Sequence, residues 1–255
     1  MPYLDLVCSS RVENAIRYRP SYPYQLIEYL YSDAGFSRES VIADIGSGTG
    51  AFTRLLLERG SRVVAIEPDD LMRIAAERLL SDEFQRFVSI KGTPIHTTLC
   101  NASIQHIVCA HSLYWSDLGK CRDEFYRILK PQGTATIIWN RLMVNWDAFN
   151  YEYERLLKRC LPGRNAFQGR ELKEFSSFFG THEYAFISLP HQQVLDFEGV
   201  KGALMAHEGF HALGEESRTT LLSELYGLFE RYNQSGKVIL RYETEAYTMQ
   251  LGRAS

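Results

Sequence analysis

The sequence predicts a doubly wound α/β fold, and three observations carry that prediction. Short apolar runs alternate with amphipathic stretches over roughly the first 130 residues, the pattern of stacked βα units. A glycine-rich turn, Gly46-Ser47-Gly48-Thr49-Gly50, falls where the first apolar run meets the first amphipathic stretch. An acidic residue, Glu67, closes the second apolar run.

Val41–Ile45 reads as a buried strand. Ala51–Arg59 reads as a helix with Phe52, Leu55 and Leu56 on one side, stopped by Gly60. Val63–Ile66 is the second strand, Asp69–Leu80 the next helix, Phe87–Ile90 the third strand and Ile107–Ala110 the fourth. Arg122–Leu129 is a helix stopped by Lys130-Pro131-Gln132-Gly133, and Thr134–Trp139 is the fifth strand. Beyond Asn140 helices dominate. Ala148–Cys160 and Glu171–Phe179 are joined by a Pro162-Gly163 turn, and a strand follows over Tyr184–Leu189. A helix over Gly199–Met205, a long amphipathic helix over Glu215–Tyr232 and a last alternating strand over Val238–Met249 complete the chain. This half reads as a helical insertion between strands five and six that covers one end of the sheet.

The chain has 255 residues, 45% of them hydrophobic, which is enough to bury a full core. With a formal net charge of -3 and scattered Lys and Arg, it offers no basic field to draw in nucleic acid. The first residues have no basic region ahead of an apolar run, and no window approaches the ~18 apolar residues of a membrane span. Five cysteines (Cys8, Cys100, Cys109, Cys121, Cys160) form no C-x-x-C pair, so free thiols in the cytoplasm are expected.

Glycines at a strand-to-helix turn allow positive φ and close approach of a ligand to the backbone. Their spacing alone also fits a dinucleotide fingerprint. Asp44, beside the turn, separates the two readings: it would repel a pyrophosphate and favour ammonium and sulfonium charges. At the end of the second strand, Glu67 can accept hydrogen bonds from both ribose hydroxyls in either cofactor class.

Val41-Ile-Ala-Asp44-Ile-Gly46-Ser-Gly48-Thr-Gly50 resembles the first motif of the Rossmann-like methyltransferases that use S-adenosyl-L-methionine (SAM). Val63-Val-Ala-Ile-Glu67-Pro68 is similar to their acidic second-strand motif, and Leu129-Lys-Pro131-Gln-Gly133 to the turn before their fifth strand. Arg17-Tyr18-Arg19-Pro20-Ser-Tyr22-Pro23 and Ala110-His111-Ser-Leu-Tyr114-Trp115 resemble the small-molecule branch that includes trans-aconitate methyltransferase-like proteins. The likeness covers roughly residues 14–141.

The resemblance implies a seven-stranded, mostly parallel sheet whose last strand is antiparallel. It implies one methyltransferase domain over residues 1–255: a cofactor-covering segment 1–40, a SAM-binding core 41–140, and helical acceptor-side segments 141–182 and 197–235. By position, Gly46, Ser47, Gly48, Thr49 and Gly50 would pass under the methionine part, with Asp44 near its ammonium. Glu67 and Pro68 would hold the ribose side, and Met72 would pack on the adenine. Tyr18 and Arg19 would close over the methionine end, while Ala110 and His111 border the cofactor from strand four. Relatives carry an acid near position 95, but this chain has Ile95, leaving backbone, Thr93 or Thr97 to meet the adenine amino group. Tyr114 stands where the family usually has histidine, and Gln132 where it usually has glycine.

Methyl transfer needs alignment above all, and a general base only if the acceptor arrives protonated. His111 and Tyr114 are the candidate catalytic residues; Trp115, Trp139, Arg141, His207 and His211 are candidate acceptor contacts. His207-Glu-Gly-Phe-His211 satisfies the H-E-x-x-H pattern of zinc proteases, but Gly209 weakens a helix there and no third ligand is implied. No metal is therefore expected. The reading is transfer of a methyl group from SAM to a small organic acceptor at oxygen, with no membrane partner. The alternative is a SAM-binding protein that catalyses a cyclisation or isomerisation, or serves as a binding partner. Oligomeric state is not legible in the sequence.

Overall fold

The computed structural model describes residues 10–113, 117–161, 178 and 183–251. These fall into two compact units. One holds residues 10–20, 140–161 and 190–243; the other holds 21–113, 117–139, 178, 183–189 and 244–251.

In the second unit the chain alternates strand and helix. The elements are α2 (Tyr24–Ser32), β1 (Val41–Ile45), α3 (Ala51–Glu58), β2 (Arg62–Ile66), α4 (Asp70–Leu80), β3 (Phe87–Ile90), β4 (Ile104–Ala110) and α5 (Leu118–Ile128). β5 (Leu129–Leu142), β6 (Tyr184–Leu195) and β7 (Val238–Gln250) have residues in both units. Among the described residues the seven strands form one sheet in the order β3-β2-β1-β4-β5-β7-β6. β1 pairs in parallel with β2 and β4, β2 with β3, and β4 with β5. β7 runs antiparallel to β5: Thr136 meets Thr248 through their hydroxyls at 3.0 Å, while Leu251 N donates to Gly133 O. The expected doubly wound sheet with an antiparallel last strand is therefore present.

Alternation along the strands sorts their side chains into two cores. Ile42, Val63, Val108 and Ile138 join Leu26, Leu30 and Leu56 in one cluster. Their strand neighbours Ala43, Val64, Ile107, Cys109 and Ile137 join Phe125, Ile128 and Phe178 in another. Neighbouring residues of a strand point to opposite faces, so the sheet is apolar on both, as a sheet sandwiched between helices requires.

Several elements extend past the ends that periodicity gave them. β4 begins at Ile104, and α5 begins at Leu118 because the Asp117 carboxylate caps it, accepting from Gly119 N and Lys120 N. The Lys130–Gly133 stop lies inside β5: a step of two residues along β4, Ile104 to His106, is matched by a step of five along β5, Leu129 to Thr134, and Gln132 takes φ 62° in the excursion. β6 continues through Pro190, which an edge strand tolerates. Two early helices, α2 and α1 (Ser10–Tyr18), were not predicted. The expected helix over 171–179 and the Pro162-Gly163 turn lie outside the described residues, except that Phe178 is helical.

The first unit holds α1, α6 (Ala148–Cys160), α7 (Phe197–Met205), α8 (Glu208–His211) and α9 (Glu215–Tyr232). Leu156 and Leu157 of α6, Val200 and Leu204 of α7, and Leu221 and Leu225 of α9 share its core with Leu240. α1 lies against α7 so closely that a Cβ on Gly202 would sit 2.0 Å from Cδ2 of Tyr18. Asp196 and Asp147 cap α7 and α6, accepting from Gly199 N and Asn150 N respectively. The described cysteines, Cys100, Cys109, Cys121 and Cys160, are free thiols.

Candidate functional site

The glycine turn is built as its sequence requires. Gly46, Gly48 and Gly50 all take positive φ, at 71°, 58° and 83°. Side-chain-bearing residues pay for that conformation, and glycine does not. The turn is pinned to the end of β2, since Gly46 N and Ser47 N both donate to Ile66 O, at 2.7 and 3.2 Å. Gly46 is also needed for space, because a Cβ there would lie 2.2 Å from the Cβ of Ser112. Gly50 leads into α3, with Leu80 Cδ1 only 2.6 Å from where its Cβ would be.

Two acidic side chains flank this turn. Asp44 is fully enclosed at the end of β1; Thr53 Oγ1 donates to its Oδ2 at 2.5 Å, and its Oδ1 is buried without a hydrogen-bond partner. Burial pushes its pKa up to about 7; Thr53 opposes that rise, and the nearby charge of Glu67 adds to it. Glu67, 8% exposed, accepts from Gly48 N through Oε2 at 2.8 Å and from Asp69 N through Oε1 at 3.0 Å. The Asp69 side chain caps α4 by accepting from Leu71 N and Met72 N at 2.9 and 3.0 Å. Ser47 Oγ is a second buried oxygen without a partner.

SAM fits these residues. An unsatisfied carboxylate oxygen next to a second carboxylate favours a cationic ligand, and the glycines let that ligand approach the backbone. A pyrophosphate would add negative charge to two acids.

The other expected cofactor residues in this unit sit as follows. Pro68 is exposed, between Glu67 and the α4 cap. Met72 is 3% exposed on the face of α4 it shares with Ala75, Ala76 and Leu80. Thr93 exchanges backbone hydrogen bonds with His96. Thr97 is committed elsewhere, since both its N and its Oγ1 donate to Glu124 Oε1, at 2.7 and 2.6 Å. Glu124 is itself desolvated, but Arg127 and Thr97 outweigh that and hold its pKa down to about 2. Ala110 ends β4 opposite Ile138, and His111 follows with φ 57°, its N donating to Ile138 O at 3.0 Å. A non-glycine residue in this region marks a constrained loop at the strand end. Ser112 Oγ donates to Ile45 O, tying the loop to β1. Trp139 lies edge-on to Tyr247, with centroids 6.1 Å apart.

Tyr18, Arg19, Arg141, His207 and His211 belong to the first unit. Tyr18 O accepts from Gln193 Nε2 at 3.2 Å, Arg19 is exposed, and Arg141 pairs with Glu243. His207 precedes the four-residue α8, and His211 Nε2 lies 2.7 Å from Met205 O. Arg218 donates to the carbonyls of Phe210 and His211, holding this turn in a form unlike the long helix that an H-E-x-x-H zinc site uses. Tyr114 and Trp115 lie outside the described residues. Sequence reasoning missed Thr53 and Ser112. Thr53 is one polar residue on an otherwise apolar helix face, and nothing in its spacing ties it to Asp44.

Residues 43–137 match the methyltransferase domain family. A methyltransferase-like protein of Schizosaccharomyces pombe, itself uncharacterized, is 22% identical over 90% of each chain. An uncharacterized methyltransferase of Mycobacterium tuberculosis is 32% identical over 54% of this chain and 53% of its own. A chain of Anaeromyxobacter dehalogenans assigned to the type II methyltransferases shares the fold, with TM-score 0.68 and 19% identity over 92% of this chain and 99% of that one.

Proposed function

We propose that this chain, whose residues 43–137 match the methyltransferase domain, uses SAM as its cofactor and that the acceptor is a small organic molecule methylated at oxygen. The observation that carries the cofactor assignment to particular residues is the buried, unpartnered Oδ1 of Asp44 beside three positive-φ glycines. In this reading Asp44 neutralises the ligand's cationic end and Glu67 accepts from the ribose hydroxyls. The turn backbone lies under the methionine part, while Met72 and Thr93 border the adenine.

When bound, SAM supplies an activated methyl group. The chain's own residues then have to orient the acceptor and exclude water. A carboxylate acceptor needs no base, whereas an alcohol must lose its proton as the new bond forms. His111, held at the carboxyl end of β4, is the residue proposed for that step. The small size of the acceptor is supported by the net charge of -3 and the absence of a basic run in the sequence.

The test is incubation of the chain with methyl-labelled SAM and a panel of small carboxylic acids and alcohols. The expected result is label on an acceptor oxygen with one demethylated cofactor formed per transfer. Label on nitrogen or on nucleic acid alone, or SAM binding with no transfer to any acceptor, would overturn the proposal.

A further inference from the structure

Asp44, near the end of β1, is 1% exposed, and Thr53, in the first turn of α3, is 0% exposed. The Thr53 side chain reaches from helix to strand: its Oγ1 donates to Asp44 Oδ2 at 2.5 Å. A helical threonine can return its hydroxyl to its own helix, to a carbonyl one turn back, but this one gives its single proton to Asp44. The Thr53 N–H acts on the same carboxyl, and an N–H in the first turn of a helix has no acceptor within that helix. Burial and the charge of Glu67, just past β2, favour the neutral form of Asp44. The Cys109 thiol of β4 also bears on it, but burial pushes that thiol well up and so keeps it protonated and uncharged. Among the described residues, the donors that favour the Asp44 anion are those of Thr53.

We propose that Thr53 is a positioning residue for the cofactor: its hydroxyl holds Asp44 in the charged form that attracts the cationic end of SAM. This role rests on the SAM reading of the site and adds the group that controls its acid. A carboxylate buried without donors becomes neutral, because desolvation penalises the charged form alone. The charge-assisted bond from Thr53 stands against that desolvation and against Glu67. The balance lies near neutrality, with Asp44 at about 7. Loss of the bond therefore takes Asp44 from about half charged to about one-tenth charged at neutral pH. Thr53→Val removes the donor with little change of shape, and Thr53→Ser keeps it.

The experiment has two arms on the whole chain. In the first, carbon NMR of labelled aspartate follows the Asp44 carboxyl without ligand, the Asp44→Asn chain identifying its signal. The midpoint, near pH 7 in the parent, should rise by about one on the pH scale or more in Thr53→Val and stay put in Thr53→Ser. In the second arm, calorimetry measures SAM affinity at about pH 7 and about pH 8.5. Thr53→Val should bind about fivefold more weakly than the parent at the lower pH and within about twofold of it at the higher, while Thr53→Ser matches the parent at both. An unmoved midpoint in Thr53→Val would overturn the proposal. So would an equal loss of affinity at both pH values, which is what a packing role alone gives. Thr53→Ala is the second donor-free variant if a melting curve shows that Thr53→Val does not fold. A parent chain that binds no SAM fails the cofactor reading and this role with it, whereas a parent that binds while the Thr53→Val midpoint stays put fails this role alone.

Discussion

Gly46 and Ser112 occupy each other's space: a Cβ on the glycine would lie 2.2 Å from the serine Cβ and 3.0 Å from its Oγ. The first residue of the glycine turn after β1 and the loop after β4 are therefore a single packed unit, closed by the Ser112 hydrogen bond to Ile45 O. Gly46→Ala adds a steric overlap to a φ of 71° that alanine disfavours. It should destabilise the chain by about 1–3 kcal/mol in urea denaturation and weaken SAM binding. Adding Ser112→Gly should relieve the overlap but leave the backbone strain. A Gly46→Ala chain as stable as the parent would contradict the packing.

The role proposed for Asp44 predicts that SAM binding depends on pH. Its pKa of about 7 means that the carboxylate, the form that would meet a cation, becomes populated only as pH rises towards neutrality. SAM affinity should rise about tenfold between about pH 5.5 and pH 7, and Asp44→Asn should be weak and flat over that range. In the ligand-free chain the sign reverses. A carboxyl whose folded pKa is raised gives stability that is fully present below about pH 4 and is lost as pH climbs through about 7, a decline absent from Asp44→Asn. Calorimetry at several pH values and urea midpoints check the two halves.

The glycine turn and strands β1 and β2 were legible because they are local: a continuous apolar run marks a strand buried on both faces, and punctuation by glycine needs no tertiary context. What was not legible depends on distance. Thr97 reads as available for an adenine contact until Glu124, 27 positions later, takes both its donors. β5 reads as starting after Gly133, because nothing near Lys130 reveals that Leu129 already pairs with Ile104. α1 is amphipathic but short, ends just before Arg19-Pro20, and buries only Val12 and Ala15, so its pattern is weak. Trp139 is a single aromatic within β5, and only the fold shows that Tyr247 is beside it.

Through His106, stability is expected to fall in acid. It stacks on Phe36 with centroids 4.1 Å apart, its Nδ1 is 2.8 Å from Thr134 Oγ1, and burial lowers its pKa to about 4. The unfolded chain then binds the extra proton between about pH 6.5 and 4. The neutral ring's contribution is present above that window and is lost as pH falls through it. His106→Phe keeps the stack and removes the titration, so its urea midpoint should change less between about pH 7 and 5 than that of the parent. Identical slopes would show that another group is responsible.

His111 separates backbone shape from chemistry. At φ 57° glycine is favoured over alanine, so His111→Gly should be more stable than His111→Ala, two variants that lose the same imidazole. SAM affinity should hold within about twofold. Turnover of a protonated acceptor should fall about 100-fold, the low end for loss of a general base, while turnover of a carboxylate acceptor changes less. Equal losses on both acceptor types would assign the residue to positioning.

The most direct test of the central claim is calorimetric titration of the chain with SAM and with its demethylated product near neutral pH, alongside Glu67→Gln and Asp44→Asn. One-to-one binding of both ligands is expected, with a loss of about tenfold or more in each variant, because each removes a charge proposed to act on the ligand. No binding by the parent chain, or unchanged affinity in both variants, would contradict it.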